Sequence, residues 1–158
     1  MSRERVQISN RVLIADDDPV IRCLVASVVT NEGCVAVEAK DGREAFQILQ
    51  SNADFKAAVF DMSMPCLSGI DLIRYMRTEK RLQRIPVMMI TAEQDLKLMS
   101  ASFSAGAKAF LPKTFTRELL QNAVRMLLLA PTPVAAQEGS RIESRYTETC
   151  NTKLQLTK

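Results

Sequence analysis

Five short apolar runs alternate along the chain with segments whose apolar residues recur at helical spacing. The runs are residues 12–15 (VLIA), 34–39 (CVAVEA), 57–60 (AAVF), 85–90 (IPVMMI) and 107–111 (AKAFL). Short apolar runs of this kind are typical of strands that are buried on both faces, as strands of parallel sheets are. The pattern therefore predicts five buried strands.

Helix start signals follow four of these strands. The predicted N-cap residues are Asp18, Asp41, Ser68 and Thr116. Pro19 suits the first turn of the first helix, and Gly33 stands where that helix should end. A fourth helix is predicted over residues 94–104, and the fifth should run to about residue 129. Alternating strands and helices predict an α/β fold of three layers, in which helices cover both faces of a parallel sheet.

Length and composition fit one globular domain with a tail. The chain has 158 residues, of which 47% are hydrophobic and 25% charged, with a formal net charge of +3. We expect an extension over residues 1–9, one domain over residues 10–130, and a flexible tail without its own fold over residues 131–158, where the composition turns polar. A signal peptide or membrane span is not predicted, so we expect a cytoplasmic protein. The small net charge does not predict a nucleic-acid or membrane partner.

The chain contains four cysteines and no histidine. Without histidine, a Ser-His or Cys-His nucleophile pair is excluded, and so is a zinc site built from cysteine and histidine. No two cysteines have CxxC spacing, so we expect reduced thiols that pack in the fold.

Polar residues stand at the carboxyl ends of four predicted strands. They are Asp16 and Asp17 after the first strand, Asp61 after the third, Thr91 after the fourth and Lys113 after the fifth. These ends form the edge at which open α/β sheets bind ligands. Three neighbouring carboxylates need a countercharge, and their oxygens suit Mg²⁺ or Mn²⁺. With a lysine and a hydroxyl nearby, the group predicts a phosphoryl site in which Asp61 is the nucleophile.

Four stretches carry a resemblance to a known family. VLIADDDP, VFDMSMPCLSG, MMITAE and AFLPKTF stand in the order and near the spacing of the receiver domain of bacterial two-component response regulators. The resemblance covers about residues 10–130. It implies a flavodoxin-like, doubly wound (βα)5 fold with the sheet order 2-1-3-4-5. It also implies a signalling switch in which Asp61 accepts a phosphoryl group from a sensor histidine kinase or phosphotransfer protein.

The resemblance implies a role for each residue of the site. Its metal ligands would be Asp16, Asp17, Asp61 and Ser63, the last through its backbone carbonyl; its switch residues would be Thr91, Lys113 and Phe110; and Ser63 and Glu93 would tune the lifetime of the phosphorylated state. Phe110 stands where the family more often has tyrosine, so a plain core aromatic is the alternative for it. The chain also departs from the family at Thr114, which replaces the usual proline after the lysine. Whether the Lys113–Thr114 bond is cis or trans stays open.

The implied output is a contact with another protein. We expect no DNA-binding or enzyme domain to follow, so a single-domain regulator would signal through the face of its fourth helix, fifth strand and fifth helix. The fifth helix has more apolar residues than one core stripe requires; the surplus ones are Leu119, Met126, Leu128 and Leu129. They predict a partner or a homodimer, and packing beneath the tail is the alternative.

Three other functions are compatible with parts of the sequence pattern. A receiver-like binding module that works without phosphorylation is the main alternative. A phosphatase of the haloacid-dehalogenase type would need an acid two residues after the nucleophile, where Ser63 stands. The sequence gives little support for nucleic-acid binding through the tail, since the tail contains four basic residues and three acidic ones and so has almost no net charge. A basic cluster is expected to be a solvated face rather than a partner site; its members are Arg74, Arg77, Lys80, Arg81 and Arg84.

Overall fold

The computed structural model describes residues 10–92 and 95–129, in which five strands and five helices alternate. Strands β1 to β5 are Arg11–Ala15, Val35–Ala39, Ala57–Asp61, Val87–Thr91 and Ala109–Pro112. Helices α1 to α5 are Pro19–Asn31, Gly42–Ser51, Gly69–Thr78, Leu96–Ala105 and Arg117–Leu129. The predicted extension over residues 1–9 and tail over residues 131–158 lie outside the described residues. No helix in the described ranges has the length and hydropathy needed to cross a bilayer.

The strands form one parallel sheet in the order β2-β1-β3-β4-β5, as predicted. This order puts β1 beside β3, with Ala15 opposite Phe60. The chain crosses from one half of the sheet to the other at this pair, which makes it the switch point where such sheets bind ligands. The two strands that end in aspartates are therefore neighbours.

Two apolar layers cover the sheet. On one face, Val25 of α1 and Val124 of α5 are buried against the strands. On the other, Leu49 of α2 and Leu72 of α3 are fully buried, and Leu98 of α4 packs partly buried against them. Strands β3 and β4 are buried along their whole length, which explains why their sequences are continuously apolar rather than alternating.

The predicted helix caps are confirmed. The cap oxygens accept from backbone N–H groups in the pairs Asp18–Val20 (2.9 Å), Asp41–Glu44 (2.8 Å), Ser68–Asp71 (3.2 Å) and Thr116–Leu119 (3.1 Å). The cap of α4 was not predicted. It is Asp95, whose carboxylate accepts from the Lys97 N–H at 2.8 Å.

Strands β4 and β5 each begin two residues later than predicted. Pro86 has no N–H to donate, so the β4 ladder begins at Val87 although the Pro86 carbonyl still accepts from Ala58 at 3.0 Å. Ahead of β5, the N–H of Ala107 donates to Ser102 at 2.9 Å and closes the end of α4. That residue therefore belongs to the helix terminus, and the strand starts at Ala109.

Three arginines of the basic cluster are exposed, as expected, but they also tie elements together. Guanidinium groups donate to backbone carbonyls in the pairs Arg77–Gly106 (2.7 Å), Arg84–Ala53 (2.9 Å) and Arg81–Gln50 (3.2 Å). The expectation for the cysteines was wrong in part. All three cysteines in the described ranges are free thiols, as expected, but only Cys34 is buried, whereas Cys23 and Cys66 are exposed. Cys150 lies outside the described residues.

Candidate functional site

Three carboxylates meet at the carboxyl ends of β1 and β3. Asp16 and Asp61 are buried, at 2% and 5% exposure, and Asp17 is exposed. One oxygen of each carboxylate lies within 4.8 Å of the others. The sheet order brings these residues together although Asp61 stands far from the other two in the sequence.

Lys113 extends from the end of β5 to the same place. Its Nζ lies 3.6 Å from Oδ2 of Asp16 and 3.6 Å from Oδ2 of Asp61. Its backbone N–H donates to the Thr91 carbonyl at 2.6 Å, which links the ends of β4 and β5. The Lys113–Thr114 peptide is cis, so the question that the sequence left open has an answer, and the ammonium group points into the acidic pocket.

The remaining predicted residues surround this pocket. Thr91 is buried at the end of β4, and the exposed Ser63 donates its backbone N–H to Oδ1 of Asp61 at 3.4 Å. Phe110 is partly buried on β5, where it packs against the core, and its ring centroid is 6.4 Å from that of Phe103 on α4. Its role as a switch residue stays a prediction. Glu93 lies outside the described residues, and its role stays a prediction.

Burial raises the pKa of both inner carboxyl groups. Desolvation, followed by repulsion from Asp16, raises the pKa of Asp61 to about 7, against the lowering effects of Lys113 and the Ser63 N–H. Desolvation also raises the pKa of Asp16, although the N–H of Asp18 at 2.9 Å and the ammonium of Lys113 favour its charged form.

The donor set fits a hard divalent cation. One ammonium group faces three carboxylates, and the pocket without metal is short of positive charge. Carboxylate oxygens are the donors that Mg²⁺ and Mn²⁺ prefer. The chain therefore has an acidic pocket that can accept such an ion.

Sequence reasoning missed three residues that support the pocket. Gly69 opens α3 directly behind it, where a Cβ would lie 2.6 Å from the Asp61 carbonyl oxygen. At Gly42, a Cβ would collide with the carbonyl oxygen of Leu67 in the loop between β3 and α3. Arg22 donates to the Asp16 carbonyl at 2.8 Å. Its position one turn beyond the Asp18 cap was a usable signal, because helical side chains lean toward the N-terminus.

Comparisons with known proteins agree with this geometry. The family model described as response regulator receiver domain matches residues 12–125. The chain is 31% identical over 119 residues to chemotaxis protein CheY1 of Helicobacter pylori, covering 75% of this chain and 96% of that protein. It is 32% identical over 118 residues to CheY of Pseudomonas aeruginosa, covering 74% and 94%.

A solved structure has the same arrangement of elements. Chemotaxis protein CheY4 of Vibrio cholerae superposes with a TM-score of 0.69 at 27% sequence identity, covering 75% of this chain and 98% of that one. The family match extends over most of the chain and includes every strand that contributes to the pocket. The chain belongs to the response regulator receiver domain family of two-component signalling proteins.

Proposed function

We propose that Asp61 of this receiver accepts a phosphoryl group from a phosphohistidine on a sensor histidine kinase or phosphotransfer protein. The observation that carries the proposal is the position of Asp61. It is buried at the end of a central strand, beside two further carboxylates and 3.6 Å from the ammonium of Lys113. Receivers are phosphoacceptor switch proteins rather than conventional enzymes, and we infer that this one acts in the cytoplasm.

The transfer exchanges one bond for another. A carboxylate oxygen of Asp61 forms a bond to phosphorus while the bond from phosphorus to the histidine nitrogen breaks and its electron pair stays on the imidazole. Only the ionised carboxylate is a nucleophile, and burial favours the neutral acid. Lys113 opposes that effect, since its ammonium stabilises the charged form of Asp61 and then the oxygens of the phosphoryl group.

Asp16, Asp17 and Asp61 would hold the metal ion, with the backbone carbonyl of Ser63 as a fourth ligand. A bound Mg²⁺ or Mn²⁺ would supply the positive charge that the pocket lacks. Arg22 would keep the backbone of Asp16 in place, because its guanidinium group donates to the Asp16 carbonyl and lies 3.4 Å from Glu38.

The switch would begin at the residues that face the new phosphoryl charge. The Thr91 hydroxyl would donate to it, and Lys113 is linked to Thr91 through the backbone. Phe110 would turn inward as Thr91 moves, which shifts the population between two packings of this edge. Hydrolysis of the phosphoryl group in the same pocket would restore the unphosphorylated state. Ser63 and Glu93 would tune the rate of this hydrolysis.

The output surface would be the face of α4, β5 and α5, which carries a group of exposed apolar side chains. They are Leu96, Phe103, Leu119 and Met126, with the partly exposed Phe110 between the helices. On the opposite edge of α5, Arg117 bonds to Ser27 of α1, and Arg125 bonds to Glu32, which directly follows α1. Helical spacing therefore turns Leu119 and Met126 away from α1 and toward β5.

A downstream protein, or a second copy of the chain, would cover this apolar face. Met126 is 72% exposed and Leu119 is 49% exposed, on a helix whose buried residues Leu120, Val124 and Leu127 already form its core contact. Of the four surplus residues, Leu128 alone is partly buried against the core. We propose that a protein partner binds this face to receive the signal. The simplest such partner is a second copy of the chain, which would form a homodimer.

The intact mass of the protein after incubation with Mg²⁺ and a small acyl phosphate donor tests the proposal. We expect one phosphoryl adduct, which requires both Mg²⁺ and Asp61 and is absent from Asp61→Asn. A folded protein that gains no adduct from a donor active on another receiver would favour the alternative, a binding module that works without phosphorylation.

A further inference from the structure

A groove between α3 and α4 lies on the other side of α4 from the apolar face. It has a volume of about 870 Å³ and is lined by Arg74, Arg77, Ala101, Ser104, Ala105 and Gly106. The α4 wall consists of small side chains, which leave the groove open. The α3 wall carries two arginines one turn apart, so that both guanidinium groups border the same space.

Arg77 is held in a fixed position over the end of α4. Its Nη2 donates to the Gly106 carbonyl at 2.7 Å. Gly106 has a φ of +119°, and a Cβ at this position would collide with the guanidinium group. Glycine is therefore required here for two reasons. It permits the left-handed backbone that ends α4, and it leaves room for the guanidinium group of Arg77. Because the carbonyl is neutral, this bond orients the guanidinium group without cancelling its charge.

More positive charge surrounds the groove. Three further exposed lysines stand close to its lining residues in the sequence: Lys80, Lys97 and Lys108. Lys97 shares a face of α4 with Ala101 and Ser104, because these residues are one and two turns apart. Within the described ranges, none of these three lysines has a carboxylate inside 4 Å.

In the described part of the chain, no carboxylate lies within 4 Å of a nitrogen of Arg74 or Arg77. Helix α4 contains no acidic residue, and its cap Asp95 stands at the far end from Gly106. The acidic residue of α3, Asp71, is engaged in the capping box with Ser68. The positive charge of the groove is thus left for a ligand rather than used within the fold.

We propose that this groove docks an acidic segment of a partner protein, with carboxylates bound by Arg74 and Arg77. The planar fork of a guanidinium group matches a carboxylate and binds it through two parallel hydrogen bonds. The volume suits a few residues of peptide, and the alanines of α4 offer an apolar floor for its backbone. A nucleic acid is less well matched, since the whole chain has a net charge of only +3.

Helix α4 would then separate two docking surfaces of different chemistry. Its side toward β5 presents Leu96 and Phe103, and its side toward α3 presents Ala101 and Ser104 beside the arginines. The basic groove does not need phosphorylation to exist, so its ligand can be tested on the unphosphorylated protein. Failure of this proposal is therefore distinguishable from failure of Asp61 as phosphoacceptor.

Fluorescence anisotropy of a labelled oligoglutamate peptide, titrated with the full chain at low salt, tests the groove. We expect saturable binding that Arg74→Glu weakens by about tenfold or more, because a charge-assisted hydrogen bond is lost and a repulsion is added. Arg74 makes no hydrogen bond or ion pair within the described structure, so the variant should fold. Arg43→Glu, on the exposed side of α2, is the matched control and should weaken binding by less than about twofold.

Ser104→Leu provides a second variant, which fills the groove without changing charge. It should abolish binding, whereas Ser100→Leu, also exposed on α4, should not. Absence of saturable binding, or equal losses for Arg74→Glu and Arg43→Glu, would overturn the proposal. An oligonucleotide that binds more tightly than the peptide with the same dependence on Arg74 would also overturn it and reassign the groove to nucleic acid.

Discussion

At the scale of single residues, the pocket holds its reactive group in an unfavourable state. Asp61 must be ionised to attack phosphorus, but burial and Asp16 raise its pKa to about 7. Lys113 compensates in part, and a metal ion would complete the compensation. Fold stability and phosphorylation chemistry therefore make opposite demands on the same carboxyl group.

Asp61→Asn should stabilise the metal-free protein at alkaline pH. The pKa of Asp61 is raised from 3.8 to about 7 on folding, so its contribution to stability is fully present below about pH 4 and is lost as pH rises through about 7. At pH 8 the variant should gain on the order of 2 kcal/mol in free energy of unfolding, and at about pH 5 much less.

Denaturant unfolding in the presence of a chelator at both pH values measures this difference. Glu118→Gln, which removes an exposed carboxylate, is the control and should show no such trend. A stability gain for Asp61→Asn that does not grow with pH would contradict the burial argument.

Lys113→Gln should slow phosphorylation of Asp61 while leaving the fold intact. The substitution removes the ammonium 3.6 Å from both inner carboxylates, and the loss of such an electrostatic group should cost about a hundredfold in rate. The rate of adduct formation by mass spectrometry measures the effect. Lys108→Gln, an exposed lysine ahead of β5, is the control, and equal rates in the two variants would remove Lys113 from the mechanism.

At the scale of elements, sequence patterns predicted the strands and helices but not the hydrogen bonds that connect one element to another. Apolar runs and cap residues predicted every strand and helix, because these signals are local. The start of β5 was misplaced because Ala107 is drawn into the end of α4 by a bond to Ser102. The bond from Arg77 to Gly106 spans residues far apart in the sequence, and no periodicity encodes it.

Gly69→Ala should displace the backbone at Asp61, against which the first turn of α3 packs. The new Cβ would lie 2.6 Å from the Asp61 carbonyl oxygen and 2.5 Å from Met89 Cε, so the loop after β3 must shift. We expect a loss of about 1–3 kcal/mol in free energy of unfolding together with slower phosphorylation. Unfolding curves and adduct formation on the same preparation measure both effects.

Gly33→Ala is the matched control for this variant. Its φ of +83° makes alanine unfavourable, but nothing lies within 4 Å of the added Cβ, and the site is remote from the loop. It should lose stability without slowing phosphorylation. If Gly69→Ala phosphorylates at the unaltered rate, the close packing of α3 does not set the position of Asp61.

At the scale of the whole molecule, the parallel sheet brings residues that are distant in the sequence together in one pocket. Two surfaces lie beside this pocket: the apolar face of α4, β5 and α5, and the basic groove between α3 and α4. A parallel sheet with helices on both faces was predictable from the alternating elements. The strand order came from the resemblance to receivers, since apolar runs do not say which strands are neighbours. The surplus apolar residues of α5 were visible in the sequence, but only the structure separates exposed Met126 from partly buried Leu128.

The exposed apolar face of α4, β5 and α5 predicts that the phosphorylated chain associates with a second copy. With a beryllium fluoride phosphate analogue and Mg²⁺, the sedimentation coefficient should rise with protein concentration if a second copy covers the face. Met126→Lys should abolish the rise, whereas Glu118→Lys, also exposed on α5, should not. A monomer at all concentrations with the analogue present would contradict the homodimer and leave the face to another protein.

The residue that carries the phosphoryl group can be identified chemically. Borohydride reduction of the phosphorylated chain converts an aspartyl phosphate to homoserine, and peptide mass spectrometry then locates the altered residue. We expect homoserine at position 61 alone, and only after incubation with donor and Mg²⁺. Homoserine at Asp16, Asp17 or another acid, or none at all in a chain that carries phosphate, would contradict it.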